Sequence, residues 1–359
     1  MYKVIKSILE KLENNGYIAY IIGGYVRDYL LDKKSYDIDI CTNAYPSDVK
    51  RLLNLDIKES NYGNITFKIE KYTFTITTFR KEILYKNRKP IKIEYINNLD
   101  EDIIRRDFTI NTIALDKNNN IIDKLNGMKD LKNKKIKLIG DSSRLKEDPL
   151  RIIRAIRFST ILDFDIDDYL KENIIINKKY VSTIPLNKIK EEIDKILMSN
   201  NVKKGFNLLK TFDLLDYIGI KYKSVVYINN LNAMWAQLEL IKDYPFTKED
   251  KKEIKIYKDI ISNGSIDNYV LYKYGLKHVL IVSKIFNLKQ KEIQDKYNKL
   301  AIKNRDELNI TLEEINMLIN DYKKSKIVED DIIKKILNNN LKNNNNALIK
   351  YIKENYYEC

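Results

Sequence analysis

GGYVRDYLLDKKSYDIDI, residues 23 to 40, is the stretch on which the reading of the whole chain turns. It follows the apolar run YIAYII (17 to 22), which predicts a buried strand, so Gly23 and Gly24 lie where that strand passes into a helix. Two residues without side chains let backbone amides and the helix N-terminus approach a phosphate; the same pair also makes an ordinary tight turn. The stretch ends on Asp37 and Asp39. Residues two apart on a strand point to one face, so the two carboxylates are brought together. Like charges at that spacing are costly unless cations lie between them, and hard oxygen ligands suit Mg²⁺ held jointly by protein and substrate phosphates. The other reading is an exposed acidic strand end. With two such ions, one activates an attacking hydroxyl and the other neutralises a leaving pyrophosphate, so no His or Cys nucleophile is needed. Arg27 and Asp28, on the helix after the glycines, suit a triphosphate contact and a brace for the turn, or an ordinary surface ion pair.

The composition fits chemistry of that kind. The chain has one histidine, His278, in a Tyr/Leu/Val segment that reads as structural, which excludes His-rich metal sites. Its two cysteines, Cys41 and Cys359, cannot make a disulfide scaffold or a multi-cysteine zinc site and point to a reducing compartment. The net charge of +14 attracts polyanions, nucleic acid being the commonest, although the lysines are spread along the chain as on a solvated surface. MYKVIKSILEKLENNG carries charges at helical spacing, as an amphipathic helix does and a signal peptide does not, and no apolar run approaches membrane-spanning length. These features predict a cytoplasmic protein without a membrane partner.

Further out, Val4, Ile5, Ile8, Leu9 and Leu12 form a helical stripe that Gly16 ends. After the acidic strand come a helix opened by Pro46 and hairpin-like strands in NITFKIEKYTFTITTF. From about Asp148 the apolar residues recur at three- and four-residue spacing, so the remainder is predicted mainly helical and the fold class α+β. Polar, turn-rich IGDSSRLKED marks a boundary near residue 140, and SNN at 199 to 201 a softer one. The Asn tract 343 to 346 reads as an exposed loop or helix break.

Two arginine-bearing stretches complete the pattern. In RRDFTIN (105 to 111), paired arginines beside an aspartate suit phosphate or ribose contacts, and equally a buried ion-pair turn. In EDPLRIIRAIRF (147 to 158), Pro149 fits the first helical position and Asp148 the N-cap, which spaces Arg151, Arg154 and Arg157 along a winding stripe. A capped helix with solvent-facing arginines is the plainer alternative.

Taken in order, Gly-Gly-x-Val-Arg-Asp, Asp-x-Asp, CTNAYPSDVKRLL, RRDFTIN and EDPLRIIRAIRF resemble the tRNA nucleotidyltransferase and poly(A) polymerase family, in its bacterial and eukaryotic class, over residues 17 to about 200. The resemblance implies a polymerase-beta-like head with a mixed sheet at 1–140, a helical neck with a nucleotide-selecting helix at 141–200, and a helical body and tail binding tRNA at 201–359. It implies template-independent, magnesium-dependent addition of C, C and A from CTP and ATP to the 3′ end of tRNA, with release of pyrophosphate. Asp37 and Asp39 become catalytic metal ligands, and Gly23, Gly24, Arg27 and Asp28 part of the nucleotide site. Arg106, Asp107 and Asn111, with Arg105 beside them, take nucleotide and ribose. Asp148 and Arg151 offer an acceptor and a planar donor fork to the base edge, a pairing that suits the amine-bearing bases cytosine and adenine. Arg154 and Arg157 stand around the nucleotide.

The stretch TTFRKEILYKNRKP (77 to 90) resembles the family's flexible loop, which favours full CCA addition; 121 to 140 resembles its hinge and NKIKEEIDKIL (187 to 197) a neck motif. Thr75 stands where the family usually has an acid, with Glu70 and Glu82 as nearby substitutes, and Asn187 and Lys188 stand where it prefers Glu-Arg. The same head motifs serve CC-only, A-only and poly(A) enzymes. An inactive RNA-binding homologue is the alternative of another class. The sequence leaves the oligomeric state open.

Overall fold

The computed structural model describes residues 2–56, 63–86 and 89–356, which divide into two compact units, Met1–Gly219 and Ile220–Cys359. Cys359 and the centre of the 77 to 90 stretch, at 87 and 88, lie outside the described residues.

In the first unit, α1 (Tyr2–Glu13) buries Ile5, Ile8, Leu9 and Leu12 along one face, and the chain turns at Gly16 into β1 (Ala19–Ile22). A short helix, α2 (Gly24–Leu30), leads to β2 (Asp37–Thr42), which pairs antiparallel with β1 so that Asp39 lies opposite Ile22. α3 (Pro46–Leu53) opens on its proline, and β3 (Asn64–Ile69) and β4 (Tyr72–Thr78) form the hairpin read from the alternation. β4 then runs parallel to β2, a pairing that needs the crossover through α3 and β3. In that register Ile38 and Ile40 lie against Phe74 and Ile76, all four at most 1% exposed, while Asp39 is level with Thr75.

The stretch from 77 onward is not an irregular loop. Its backbone is a second hairpin, β5 (Arg80–Lys86) with β6 (Lys89–Tyr95), whose register shifts around Leu84. α4 (Leu99–Ile104) packs Leu99 and Ile103 against Ile22, Cys41 and Phe79, and β7 (Ala114–Leu115) and β8 (Ile121–Ile122) complete a mixed sheet in the order β3-β4-β2-β1-β7-β8. The 121 to 140 stretch holds β8, α5 (Gly127–Lys132) and β9 (Lys135–Ile136).

Beyond the sheet come α6 (Ser143–Glu147), α7 (Leu150–Leu162), a short β10 (Asp165–Ile166) parallel to β9, α8 (Asp168–Asn177), α9 (Leu186–Leu197), α10 (Val202–Thr211) and α11 (Leu215–Ile218). α7 has 11 of its 13 residues buried, Arg151 and Arg157 among them, so it is an interior helix; of its arginines Arg154 is half-buried. α9 and α10 pack on it.

The second unit is almost wholly helical. A two-stranded ladder of β11 (Ile220–Lys221) and β12 (Glu239–Leu240) flanks α12 (Leu231–Trp235), and Trp235 packs with Tyr244 and Phe246 at ring separations of 5.1 Å each. α13 (Lys248–Ser262), α14 (Asn268–Val282), α15 (Gln290–Asn298), α16 (Leu312–Ile319), α17 (Tyr322–Leu337) and α18 (Asn345–Tyr356) follow. His278 is placed structurally, its Nδ1 2.8 Å from the Tyr274 carbonyl and its ring beside Tyr257. The Asn tract ties rather than loosens: Asn343 Nδ2 donates to the Glu307 carbonyl at 2.7 Å, and Asn344 Oδ1 accepts from Ala347 N at the start of α18.

Gly205 on α10 lets the helix close on its neighbours. A methyl group there would fall 2.6 Å from Ile196 Cγ2 and 2.7 Å from Thr160 Oγ1. Gly205→Ala is therefore expected to cost about 1–3 kcal/mol through overpacking, read as a lower urea midpoint with an unchanged slope. A midpoint equal to the wild type would show that α10 is free to move off α7.

Candidate active site

Every residue named above as catalytic or nucleotide-binding lines one hollow of ≈ 470 Å³ in the first unit, joined there by Ser35, Arg105 and Phe158. Four elements supply most of its wall, the first being the turn at Gly23 with α2, which brings Gly24, Arg27 and Asp28. β2 brings Asp37 and Asp39; the 105 to 111 turn brings Arg105, Arg106, Asp107 and Asn111; α7 brings Arg151, Arg154, Arg157 and Phe158.

Asp107 is the hub. Its Oδ1 accepts from the Phe108 amide at 2.8 Å and from Asn111 Nδ2 at 3.0 Å, and its Oδ2 accepts from Arg154 Nε at 2.8 Å. Asn111 Oδ1 in turn accepts from Arg27 Nη1 at 2.7 Å, and Arg27 donates through Nε and Nη2 to Asp28 Oδ1. Arg27 is 7% exposed, so this pair is an interior strut of the site and not a surface ion pair. Burial alone would raise the Asp107 pKa, but Arg154 and the hydrogen bonds outweigh it and hold the carboxyl far below the usual range.

Behind Arg154 stands Glu192 of α9, 3% exposed, with its Oε1 3.6 Å from Arg154 Nη1 and its Oε2 2.8 Å from Arg157 Nε. Burial draws the Arg157 guanidinium down to about 10, with Glu192 opposing that shift, and it stays charged at neutral pH. Three guanidinium groups, those of Arg27, Arg154 and Arg157, lie 5.0, 5.4 and 4.0 Å from the centre of the Phe158 ring. Glu192 escaped the sequence reading, although an acid among Ile189, Ile193 and Ile196 on one apolar stripe marks a buried partner. Phe158 carried a signal too: it lies one helical turn beyond Arg154.

A second knot forms under the 105 to 106 arginines. Asp102, 0% exposed, accepts from Arg105 Nε at 2.9 Å, Arg106 Nη2 at 3.1 Å and the Arg80 amide at 3.2 Å. Arg106 Nε is buried without a hydrogen-bond partner. Glu82 is bound into this knot by Arg80 and Arg105, and Glu70 is exposed at the β3–β4 turn; neither lines the hollow, so neither substitutes for the missing acid. Thr75 itself shares a hydroxyl contact with Thr66 at 3.3 Å.

On α7, helical angles begin at Pro149, and the extended Asp148 accepts from the Leu150 amide through Oδ1 at 3.2 Å. Arg151 is held by backbone carbonyls: Nη1 donates to Arg144 O at 2.7 Å and Nη2 to Arg105 O at 3.3 Å. Its guanidinium plane is thereby fixed before any ligand arrives.

Asp37 and Asp39 differ from the other carboxylates of the hollow. Neither makes a hydrogen bond or ion pair with a described residue, whereas Asp28 and Asp107 are paired to arginines. Burial raises the Asp39 pKa, with Arg106 opposing and Asp37 adding to the rise. Gly23 makes room beside it: its φ of 85° disfavours any side chain, and a methyl group there would stand 3.1 Å from Asp39 Oδ2. Two unpartnered hard-oxygen donors on one strand face can hold a divalent cation that takes its remaining ligands from substrate phosphate. Among the described residues no group of three or more His, Cys, Asp and Glu gathers as a metal cluster. Cys41, one residue pair further along β2, is inert: burial pushes its thiol up to about 12.

Comparison with known proteins gives a consistent picture. Residues 19–137 match the family model described as the Poly A polymerase head domain, and residues 163–220 the one described as a probable RNA and SrmB-binding site of polymerase A. A CCA-adding enzyme of Lactobacillus delbrueckii subsp. bulgaricus is 32% identical over 336 residues, 84% of this chain and 85% of that one. One from Streptococcus pyogenes is 37% identical over 218 residues, 60% of this chain and 54% of that one. The fold is shared with the crystal structure of the Bacillus stearothermophilus CCA-adding enzyme in complex with CTP, at a TM-score of 0.79 and 22% identity, over 98% of this chain and 97% of that one. The Thermotoga maritima CCA-adding enzyme complexed with tRNA superposes at 0.69 and 18% identity, over 98% and 95%.

The raised Asp39 pKa makes a signed prediction. Ionising this carboxyl costs the folded state free energy, so the penalty is absent below the ordinary carboxylate range and grows as pH rises through it. Asp39→Asn is expected to raise the urea midpoint at pH 7, and the gain should vanish as pH falls below the pKa of the unfolded chain. A variant no more stable than the wild type at pH 7 would contradict the unpartnered state of Asp39.

Proposed function

The chain belongs to the family of CCA-adding enzymes, and from that premise we propose that the Asp37/Asp39 hollow binds Mg²⁺ with CTP or ATP and adds C, C and A to the 3′ end of tRNA, releasing pyrophosphate. The observation that carries this reading is the contrast within one cavity: paired aspartates hold the arginines in place, and the two on β2 are left without partners among the described residues. That donor set fits Mg²⁺, which binds through one or two carboxylates together with phosphate oxygens. Asp37 and Asp39 would hold the ion, which when bound makes the attacking hydroxyl a better nucleophile and neutralises the departing pyrophosphate.

The chain's own residues do the rest. Gly23 and Gly24 leave space for phosphate beside Asp39, and Arg106, also in the lining, adds positive charge there. Arg154 and Arg157, fixed by Asp107 and Glu192, supply positive charge that needs no rearrangement when the triphosphate arrives. Asp148 accepts from the exocyclic amine of cytosine or adenine, and Arg151 donates to the ring edge. Because Arg151 is already held by two carbonyls, its hydrogen-bond pattern acts as the template and no nucleic-acid template is required.

The helices over 163–220 and the second unit are assigned to the tRNA body, recognised by phosphate charge and shape. In α17 the exposed Tyr322 carries Lys326 over its ring at 4.7 Å. We place the head at 1–140, the neck at 141–200 and the body and tail at 201–359. No helix among the described residues is long and apolar enough to cross a membrane, and a cytoplasmic location accords with the cysteine usage.

Two experiments test this reading. Incubating tRNA that lacks its 3′ end with CTP, ATP and Mg²⁺ should yield tRNA ending in CCA on sequencing; products ending in CC, a lone A or a poly(A) run assign the narrower activities instead. Asp37→Ala should abolish incorporation with an unchanged circular dichroism spectrum, and activity within about tenfold of the wild type would refute the metal assignment. Separately, the tRNA dissociation constant should weaken steeply with salt, and replacing Lys323 and Lys324 by Ala should flatten the log–log slope by about 1 for each phosphate no longer neutralised. An unchanged slope would remove α17 from the interface.

A further inference from the structure

Beside the catalytic hollow lies a second one of ≈ 260 Å³, and Ser35 lines both. We propose that this second hollow binds unpaired nucleotides of the RNA immediately 5′ of the reacting terminus, with Tyr25, Tyr29, Tyr36 and Tyr72 as stacking surfaces and Lys71 as a phosphate contact. The proposal rests on the neighbouring hollow being the place of nucleotide transfer.

The cluster is assembled from separate elements. Tyr25 and Tyr29 are one turn apart on α2, and Tyr36 is tied to the start of β4 by the Thr73 amide, which donates to its carbonyl at 2.9 Å. That bond sets Tyr36 beside Tyr72, ring centres 5.5 Å apart at 55°. Lys71 Nζ stands 5.1 Å from one ring centre and 5.8 Å from the other. Core packing does not account for this grouping, because Tyr29 is 54% and Tyr36 44% exposed.

Its charge differs in kind from that of the catalytic hollow. There five aspartates accompany six arginines; here Lys33, Lys34 and Lys71 are accompanied by no acid in the lining, and none has a salt-bridge partner among the described residues. A metal-bound triphosphate needs carboxylates. A phosphodiester strand needs only cations for its backbone and π-faces for its bases, and sequence-tolerant stacking of that kind suits a strand whose last residues change at each addition. Continuity through Ser35 places the occupant next to Asp37.

The test measures two quantities on Tyr29→Ala, Tyr36→Ala, Lys71→Ala, the triple variant and Tyr36→Phe. One is binding of tRNA lacking its 3′ end, followed by fluorescence anisotropy; the other is the pair of KM values, for that tRNA and for CTP. Loss of each ring is expected to weaken RNA binding and raise the RNA KM about fivefold or more, with the CTP KM within about twofold and Tyr36→Phe close to wild type. Urea midpoints near wild type confirm that the variants fold. Weakened RNA binding in the triple variant upholds the platform even in a preparation that incorporates nothing. Incorporation with unchanged RNA binding and RNA KM overturns it and leaves the transfer reading intact. A matching rise in the CTP KM also overturns it, by making the hollow a mononucleotide subsite.

Discussion

The candidate site depends on one buried carboxylate. Asp107 accepts from a backbone amide, from Asn111 and from Arg154, and through Asn111 it reaches Arg27 and Asp28 on α2. That chain of bonds joins the strand-to-helix turn, the 105 to 111 turn and α7, beside the edge-to-face contact of Phe108 with Phe158 at 5.7 Å. A buried charge with its interactions satisfied is stable where it stands, and Arg154 is held from two sides, by Asp107 and by Glu192. The arginines of the cavity are thus fixed by folding, before any substrate charge is present. Electrostatic preorganisation of this kind is what phosphoryl chemistry requires, since the protein contributes position and charge and little covalent work.

The pair on β2 shows the opposite arrangement. Asp37 and Asp39 share one face of the sheet and make no ion pair with a described residue; burial and repulsion from Asp37 act on Asp39 together, opposed in part by Arg106. Strand pairing on both sides keeps these residues in place. Ile22 of β1 and Thr75 of β4 are in register with Asp39, and the Ile38 and Ile40 side chains are locked into the core between them. The sheet supplies the rigidity that lets two carboxylates without a partner among the described residues persist side by side.

Much of this was legible in the sequence, for reasons that can be named. The α1 stripe, the Asp-x-Asp spacing and the arginines of α7 are periodic features, and period maps directly onto face. Partners distant in sequence were not legible in the same way. Glu82 was close enough in the chain to suggest a third ligand, yet Arg80 and Arg105 claim it; Glu192 lies 35 residues from Arg157 and binds it. The 77 to 90 stretch, rich in Lys and Arg, lacks clean alternation, and only its partner strand makes it a hairpin. Within it Arg80 is held inside by Glu82 while Lys81 lies outside, a split between interior and surface charge that follows the different chemistry of the two cations.

That division of labour separates the two hollows that share Ser35. Within the catalytic one the cations are all arginines, planar and held by acids or carbonyls, so direction is preserved: Arg144 O and Arg105 O keep the plane of Arg151 still, as the base-reading role we propose for it requires. Within the tyrosine-lined one the cations are all lysines, point charges on flexible stems beside exposed rings. The first arrangement discriminates, since a misaligned base would leave buried polar groups unpaired. The second tolerates change, since every base presents a face to stack. An enzyme that selects its own incoming nucleotide while its growing end changes identity at each step needs selectivity in one pocket and indifference in the next, and the choice of Arg or Lys beside aromatic side chains is enough to give both.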